Sequence, residues 1–322
     1  VSCPLSPAPC PLSSFFSPSP LHRNPPLFLI KKMKPSPAPY ALLGHPVGHS
    51  LSPAMHNAAF RALGLNARYT LLDVLPRDLP ATLDELHAGG FGGLNITIPH
   101  KEAAFRFLAR HHAVSDSARV LRAVNTVVFR RDGAMEGHNT DAPGFLDALR
   151  EAFRASPSGK RILLLGAGGA GRAVALTCVL HGAAELLVAD LRPAARRRLL
   201  LALRETAPGL PVAGLSLARA ARAARDCDLI LQATPVGMTP GDPSLLPAES
   251  FRKGQLVFDL IYNPAETPLL AAARSAGART ANGLGMLLHQ GARAFRLWTG
   301  RKPPVAVMRT ALQQALRDRS PR

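Results

Sequence analysis

The stretch 162–181 constrains this chain more than any other. Ile162, Leu163, Leu164 and Leu165 form a short apolar run. It breaks at Gly166, Ala167, Gly168, Gly169, Ala170 and Gly171, and a helical pattern follows from about Ala170 to His181. Strand, GxGxxG and helix in that order make the dinucleotide-binding fingerprint. Gly166 and Gly168 let the backbone turn and approach a pyrophosphate. Gly171 permits close helix–strand packing, and the helix start supplies amide donors and a positive dipole end. The next apolar run, 186–189, ends in Asp190, 19 residues beyond Gly171. An acid at that place is positioned to accept from a ribose hydroxyl. A glycine-rich turn with no ligand would share the first half of this pattern but not the acid.

Around this unit, apolar runs alternate with helical patterns. Strands are predicted near 40–44, 69–74, 92–99, 229–233 and 256–260, and helices over 52–63, 79–87, after 99, and over 142–155, 286–298 and 305–316. Ser52 is predicted as the N-cap of its helix with Pro53 at the first helical position. Residues 124–129 and 134–138 read as a hairpin turning at Arg131, Asp132 and Gly133. Such alternation indicates an α/β protein. The breaker Ser156, Pro157, Ser158, Gly159 separates two units, and 322 residues suit about two domains.

Residues 1–39 hold 11 of the 30 prolines and no acid, so they cannot build a core and are expected to be a disordered, Pro-rich leader. Met33 is expected to be the natural start, with the preceding residues an upstream over-translation. No run reaches the roughly 18 apolar residues of a membrane-spanning helix. The formal charge of +18 invites a nucleic-acid reading. However, only 7 of the 39 basic residues are lysine, and the arginines are spread along the chain. The densest cluster, Arg196 to Arg198, has no interleaved aromatics, so a solvated basic surface is expected and no specific nucleic-acid partner. Cys3, Cys10, Cys178 and Cys227 form no CxxC pair. Neither a metal site nor a disulfide framework is expected, which fits a cytoplasmic location.

Several polar groups fall at the ends of the early strands. Ser50 and Ser52 sit beside a helix start, where hydroxyls and amides together can cradle a carboxylate. The same two residues would serve as a cap and a turn, and spacing alone leaves both readings open. Lys101 stands at a strand end and helix start in a chain that otherwise prefers Arg. That choice suits a task Arg cannot perform, such as giving up a proton, although a solvated lysine would look the same. Asn125 and Asp141 also lie at strand ends, where turn chemistry is the plainer reading.

Taken in order, the motifs GxPxxHSxSPxxHN, NITIPHKE, AVNT, NTD, GAGGAGR, ATPVGM, YNPAETPLL and NGLGMLLHQGA resemble the shikimate dehydrogenase family over about residues 40–316. The resemblance implies an N-terminal α/β substrate domain (40–145, joined by C-terminal helices 286–316) and a C-terminal Rossmann domain with a doubly wound parallel sheet (146–285). It implies reversible reduction of 3-dehydroshikimate to shikimate, a step towards chorismate and the aromatic amino acids. A quinate/shikimate dehydrogenase, or a non-catalytic dinucleotide-binding regulator, remains open on the same fold. No metal is implied, and the state is monomer or homodimer.

Carried over at matching positions, Lys101 and Asp141 are the catalytic pair. Ser50 and Ser52 take the substrate carboxylate, and Thr97, Asn125, Tyr262 and Gln290 line the ring hydroxyls. Gly166, Ala167, Gly168, Gly169, Ala170, Asp190, Arg192, Leu260 and Gly283 hold the dinucleotide, with Asp116 near the nicotinamide. Two departures stand out. Ala142, Pro143 and Gly144 follow Asp141, where the family often has Gly directly. The Asn-Arg-Thr that usually ends the second Rossmann strand is Asp190, Leu191, Arg192. The cofactor is NADP or NAD. The family default is NADP, whereas a carboxylate at 190 would repel a 2′-phosphate and leans towards NAD.

Overall fold

The computed structural model describes residues 37–319. The expectations for residues 1–36, including the disordered leader and the start at Met33, lie outside the described residues. Ala38 and Pro39, counted with the leader from sequence, belong to the first strand.

The first sheet has six strands: β1 (Ala38–Gly44), β2 (Ala67–Asp73), β3 (Gly93–Ile96), β4 (Ala113–Val114), β5 (Thr126–Phe129) and β6 (Met135–His138), in the order β2-β1-β3-β5-β6-β4. β1 is parallel to β2 and β3, while β5 is antiparallel to β3 and β6. The parallel part needs crossovers. Helices α1 (Ser52–Ala62) and α2 (Leu79–Ala88) supply them, followed by α3 (Lys101–His111) and α4 (Asp116–Leu121). Successive residues of β1 face opposite ways. Ala41 and Leu43 pack with Leu79, Leu83, Ala104 and Leu108 on one side. Tyr40 and Leu42 pack with Phe60, Phe295 and Leu312 on the other.

Helix α5 (Asp141–Phe153) leads into the second sheet: β7 (Arg161–Leu165), β8 (Glu185–Ala189), β9 (Val212–Leu215), β10 (Leu229–Gln232), β11 (Leu256–Asp259) and β12 (Arg279–Ala281). All neighbours are parallel, in the order β12-β11-β10-β7-β8-β9. The winding therefore reverses between β7 and β10, and that switch point is where an open parallel sheet offers a crevice for a ligand. β7 is covered on both faces, which explains its unbroken apolar run. Ile162 and Leu164 meet Val174 and Leu199. Leu163 and Leu165 meet Leu246 and Leu270. These neighbours come from α6 (Gly169–Leu180) and α7 (Pro193–Thr206) on one face, and from the chain after β10 and α9 (Pro268–Ser275) on the other; α8 (Leu217–Ala223) follows β9.

The chain then returns to the first sheet through α10 (Leu284–Thr299) and α11 (Val305–Arg319). Trp298 Nε1 donates to Val127 O in β5 at 3.0 Å, fixing that return. Among the described residues no helix is long and apolar enough to cross a membrane.

Candidate active site

A cleft of about 1040 Å³ runs between the C-terminal ends of the strands of the two sheets. One wall carries Ser50, Ser52, Thr97, Lys101, Asn125 and Asp141, and Tyr262 and Gln290 also line the cleft. All eight substrate-side residues expected from sequence are thus brought together, although they span 240 positions of the chain.

Ser52 does not act as expected at its helix. The cap position is Leu51, no side chain caps α1, and Ser52 is already the first helical residue, with Pro53 following it. Its hydroxyl accepts from Ser50 Oγ at 3.1 Å instead. Both serines are buried yet line the cleft, so their hydroxyls converge on one spot at the start of a helix. Helix α5 likewise starts one residue early, at Asp141. The carboxylate sits in the first turn, where the helix dipole favours negative charge. Asn139 Oδ1 accepts from the amides of Asp141 and Ala142, which fixes that turn.

Lys101, the first residue of α3, reaches across to Asp141. Nζ donates to Oδ2 at 2.7 Å, with both side chains largely shielded from water. A lysine held on one N–H keeps two more for a ligand. Gly144, one turn along α5, packs against α10: a Cβ there would lie 2.7 Å from the Gln290 amide nitrogen. Only glycine lets the two helices approach this closely, and Gln290 is thereby set beside the Asp141 helix.

Four residues not singled out from sequence, Tyr69, Asn95, Thr126 and Thr140, form a line with Asn125 beneath these groups. The Tyr69 hydroxyl, close to Ser52, donates to Asn95 Oδ1 at 2.8 Å. Asn95 Nδ2 donates to Thr126 Oγ1 at 3.1 Å. Thr126 Oγ1 donates to Asn125 Oδ1 at 3.0 Å, and Asn125 Nδ2 to Thr140 Oγ1 at 3.0 Å. A buried polar chain thus runs under the wall and satisfies each member. Its sequence signal was weak: Tyr69 and Asn95 sit in strands whose pattern reads simply as apolar core.

On the opposite wall, Gly166, Gly168, Gly169, Ala170, Asp190, Arg192, Leu260 and Gly283 line the cleft. The turn is tight: a Cβ on Gly171 would lie 2.0 Å from Gly166 O. Helix α6 begins at Gly169 with no side-chain cap. Its first amides are therefore available to an anion, and the loop fits a dinucleotide pyrophosphate. Two residues depart from the expected placement. Ala167 is not on the lining; its amide donates to Asp190 Oδ2 at 2.7 Å. Asp116 is the exposed first residue of α4 and lies outside the lining of the cleft.

Asp190 is closely occupied. Besides the Ala167 amide, it accepts from the Arg192 amide at 2.7 Å and from the Arg192 guanidinium at 3.3 and 3.4 Å. Burial opposes its charge, but these donors outweigh burial and hold its pKa below the ordinary value. The loop after β11 is braced by Asp259, which accepts from Thr267 Oγ1 at 2.6 Å and from the Ile261 amide at 2.9 Å. Burial pushes that carboxyl up to about 6 against the opposing effect of the two bonds.

The arrangement has a lysine–carboxylate pair facing a glycine loop, with hydroxyls and amides around it. It suits hydride exchange at a hydroxyl-bearing carbon of a small polar acid. Comparison with known proteins agrees. Residues 42–127 match the family model described as the shikimate dehydrogenase substrate binding domain, and 283–313 match that of the shikimate 5′-dehydrogenase C-terminal domain. A shikimate dehydrogenase (NADP(+)) of Moorella thermoacetica is 48% identical over 289 residues, 88% of this chain and 96% of that protein. The shikimate 5-dehydrogenase of Thermus thermophilus, solved with NADP(H) and shikimate, is 42% identical with a TM-score of 0.73, covering 87% of this chain and 100% of the other. The quinate dehydrogenase of Corynebacterium glutamicum, solved with NAD, is 35% identical with a TM-score of 0.80, covering 86% and 99%.

Proposed function

The chain belongs to the shikimate dehydrogenase family, and on that premise we propose how its cleft works. The protein is an oxidoreductase that interconverts 3-dehydroshikimate and shikimate with a nicotinamide dinucleotide. One observation carries the reading: the Lys101–Asp141 pair, 2.7 Å apart, in a cleft walled by the dinucleotide loop. The same pair argues against a non-catalytic regulator on this fold.

Ser50 and Ser52 hold the substrate carboxylate at the start of α1. Thr97, Asn125, Tyr262 and Gln290 take the ring hydroxyls and fix the ring beside Lys101. When bound, the dinucleotide supplies the hydride for reduction and accepts it in oxidation. During reduction, negative charge grows on the carbonyl oxygen. A Lys101 N–H donates to that oxygen, stabilises the charge and passes the proton; in oxidation Nζ takes it back. Asp141 anchors the ammonium through Oδ2 and orients its remaining donors. Gly166 to Ala170 take the pyrophosphate against the α6 amides, and Leu260 and Gly283 bound the nicotinamide end. Residues 40–145 with 286–316 serve the substrate, and 146–285 the dinucleotide.

For the finer choice of cofactor the reading is NADP. An NAD preference would need a free carboxylate at 190. Asp190 instead receives four donors, about the full acceptor capacity of a carboxylate. Its charge is countered by Arg192, whose side chain stays 70% exposed at the cleft. An exposed guanidinium there suits a 2′-phosphate. The NADP(+) named for the Moorella relative supports the same choice. A cytoplasmic location fits the two buried free cysteines, Cys178 and Cys227. Shikimate oxidation measured with NADP and NAD side by side tests the whole reading; no turnover with either would overturn it.

A further inference from the structure

The carboxylate cradle is built from hydroxyls. Ser50 and Ser52 supply its donors, and Lys101, at the other functional end of the wall, is engaged by Asp141. A cation is nevertheless delivered behind the cradle from the far end of the chain. Arg319, the last residue of α11, sends Nη1 to His49 O and Nη2 to Ser50 O, the latter at 3.3 Å. Those two carbonyls belong to the turn that presents the Ser50 and Ser52 hydroxyls, 269 and 270 positions earlier in sequence. Both bonds end on carbonyl oxygens, so no carboxylate among the described residues neutralises the guanidinium. Three of its five N–H donors take no partner among the described residues.

The charge reaches the cleft. Burial raises the pKa of the Tyr262 phenol, and the positive charge of Arg319 pulls it back. Tyr262 lines the cleft together with His49, Ser50 and Ser52. Arg319 therefore stands close to the two surfaces that would meet the substrate's carboxylate. A bidentate hold on adjacent carbonyls fixes the turn. A net positive charge close behind neutral hydroxyls lowers the free energy of an anion placed on them.

From these contacts we infer that Arg319 is a substrate-positioning residue: it clamps the His49–Ser50 turn and supplies the positive charge that the Ser50–Ser52 cradle lacks for a carboxylate. The inference deepens the functional reading above and rests on it. Its action is on binding of the acid, not on the proton transfer at Lys101.

The test is steady-state shikimate oxidation by the full chain carrying Arg319→Gln or Arg319→Lys, at low and high salt. Arg319→Gln should raise KM for shikimate roughly 5- to 10-fold while kcat stays within about twofold, and Arg319→Lys should recover much of the loss. Screening supplies the readout that a merely structural role would not move. Raising ionic strength from about 0.02 to about 0.5 M should raise the wild-type KM and leave that of Arg319→Gln nearly unchanged, so the two converge. A wild-type KM insensitive to salt would overturn the inference even if the variants failed to fold. So would an unchanged KM in Arg319→Gln, or a KM ratio that persists at high salt. A wild-type enzyme inactive on shikimate would instead sink the functional reading itself.

Discussion

Arg192 folds back onto Asp190. Its amide lies 2.7 Å from Oδ1 and its Nε 3.3 Å from the same oxygen, while its Nη2 hangs 3.7 Å from where a Gly168 Cβ would be. The acid that would reject a 2′-phosphate is thereby tied to the arginine that would accept one. Two opposing cofactor signals become a single device that places a guanidinium over the glycine loop.

Removing Arg192 should therefore hurt NADP more than NAD. Arg192→Ala should lower kcat/KM for NADP by roughly 10- to 100-fold and that for NAD by much less. Asp190→Ser should raise the NADP/NAD ratio, because the guanidinium loses its partner and the phosphate loses a like charge. Kinetics with each dinucleotide at saturating shikimate provide the check. A wild type that prefers NAD, or a ratio that Arg192→Ala leaves unmoved, would return the choice to the carboxylate.

At the proposed catalytic pair, Lys101→Ala should reduce kcat by roughly 100- to 10,000-fold with a smaller change in KM. The ammonium is needed most as charge develops on oxygen, so loss of the transition-state contact should dominate. Asp141→Asn keeps the shape but not the charge that anchors Nζ, and should fall between wild type and Lys101→Ala. Retention of more than about a tenth of wild-type kcat by Lys101→Ala would remove it from the proton-transfer role.

The parts of this molecule legible in sequence are those whose signal is local. The Gly166–Gly171 turn carries a local signal, since Gly171 packs on the Gly166 carbonyl within the turn itself, and strand, loop and helix fall within a residue of where expected. The order of the second sheet is long-range and had to come from the structure. β9 carries little sequence signal because Val212, Ala213 and Leu215 are only half-buried at the sheet edge and Gly214 interrupts them; an edge strand needs no apolar run. Ser-Pro marks a helix start in most contexts, so the sequence points to Ser52 as the cap. Here the chain enters one residue sooner, and the hydroxyl accepts from Ser50. The occupancy of Asp190 could not be seen either, since it depends on the loop after β8 lying over the amide of Ala167.

Shikimate should be strongly preferred over quinate. Quinate carries an additional hydroxyl on the carbon that bears the carboxylate. That group would have to enter where Ser50 and Ser52 are 3.1 Å apart and both buried. An unpartnered buried hydroxyl costs roughly 1–3 kcal/mol, a discrimination of about 5- to 150-fold in kcat/KM. Comparable kcat/KM for the two acids would identify a quinate/shikimate enzyme instead. Ser52→Ala should weaken shikimate binding and narrow the gap.

The last prediction concerns stability and turns on His56. Its ring is fully buried on α1, stacked on Tyr69 with centroids 4.4 Å apart. Neither ring nitrogen has a hydrogen-bond partner among the described residues. Burial alone pushes its pKa down to about 3. A histidine neutral in the folded protein but free to charge in the unfolded chain contributes stability that is fully present above the unfolded pKa of about 6.5. As pH falls below that value, the unfolded state binds the proton and the folded state does not. Stability is therefore lost progressively towards pH 3. Between pH 6.5 and 4 the loss from this one group should be on the order of 3 kcal/mol. His56→Phe keeps a ring against Tyr69 and sacrifices no hydrogen bond. Its unfolding free energy, measured in denaturant across this range, should fall less steeply than the wild type's, so the wild-type advantage shrinks or reverses in acid. Parallel curves would show that His56 stays neutral in both states over this range, or that the folded ring finds a partner for its proton.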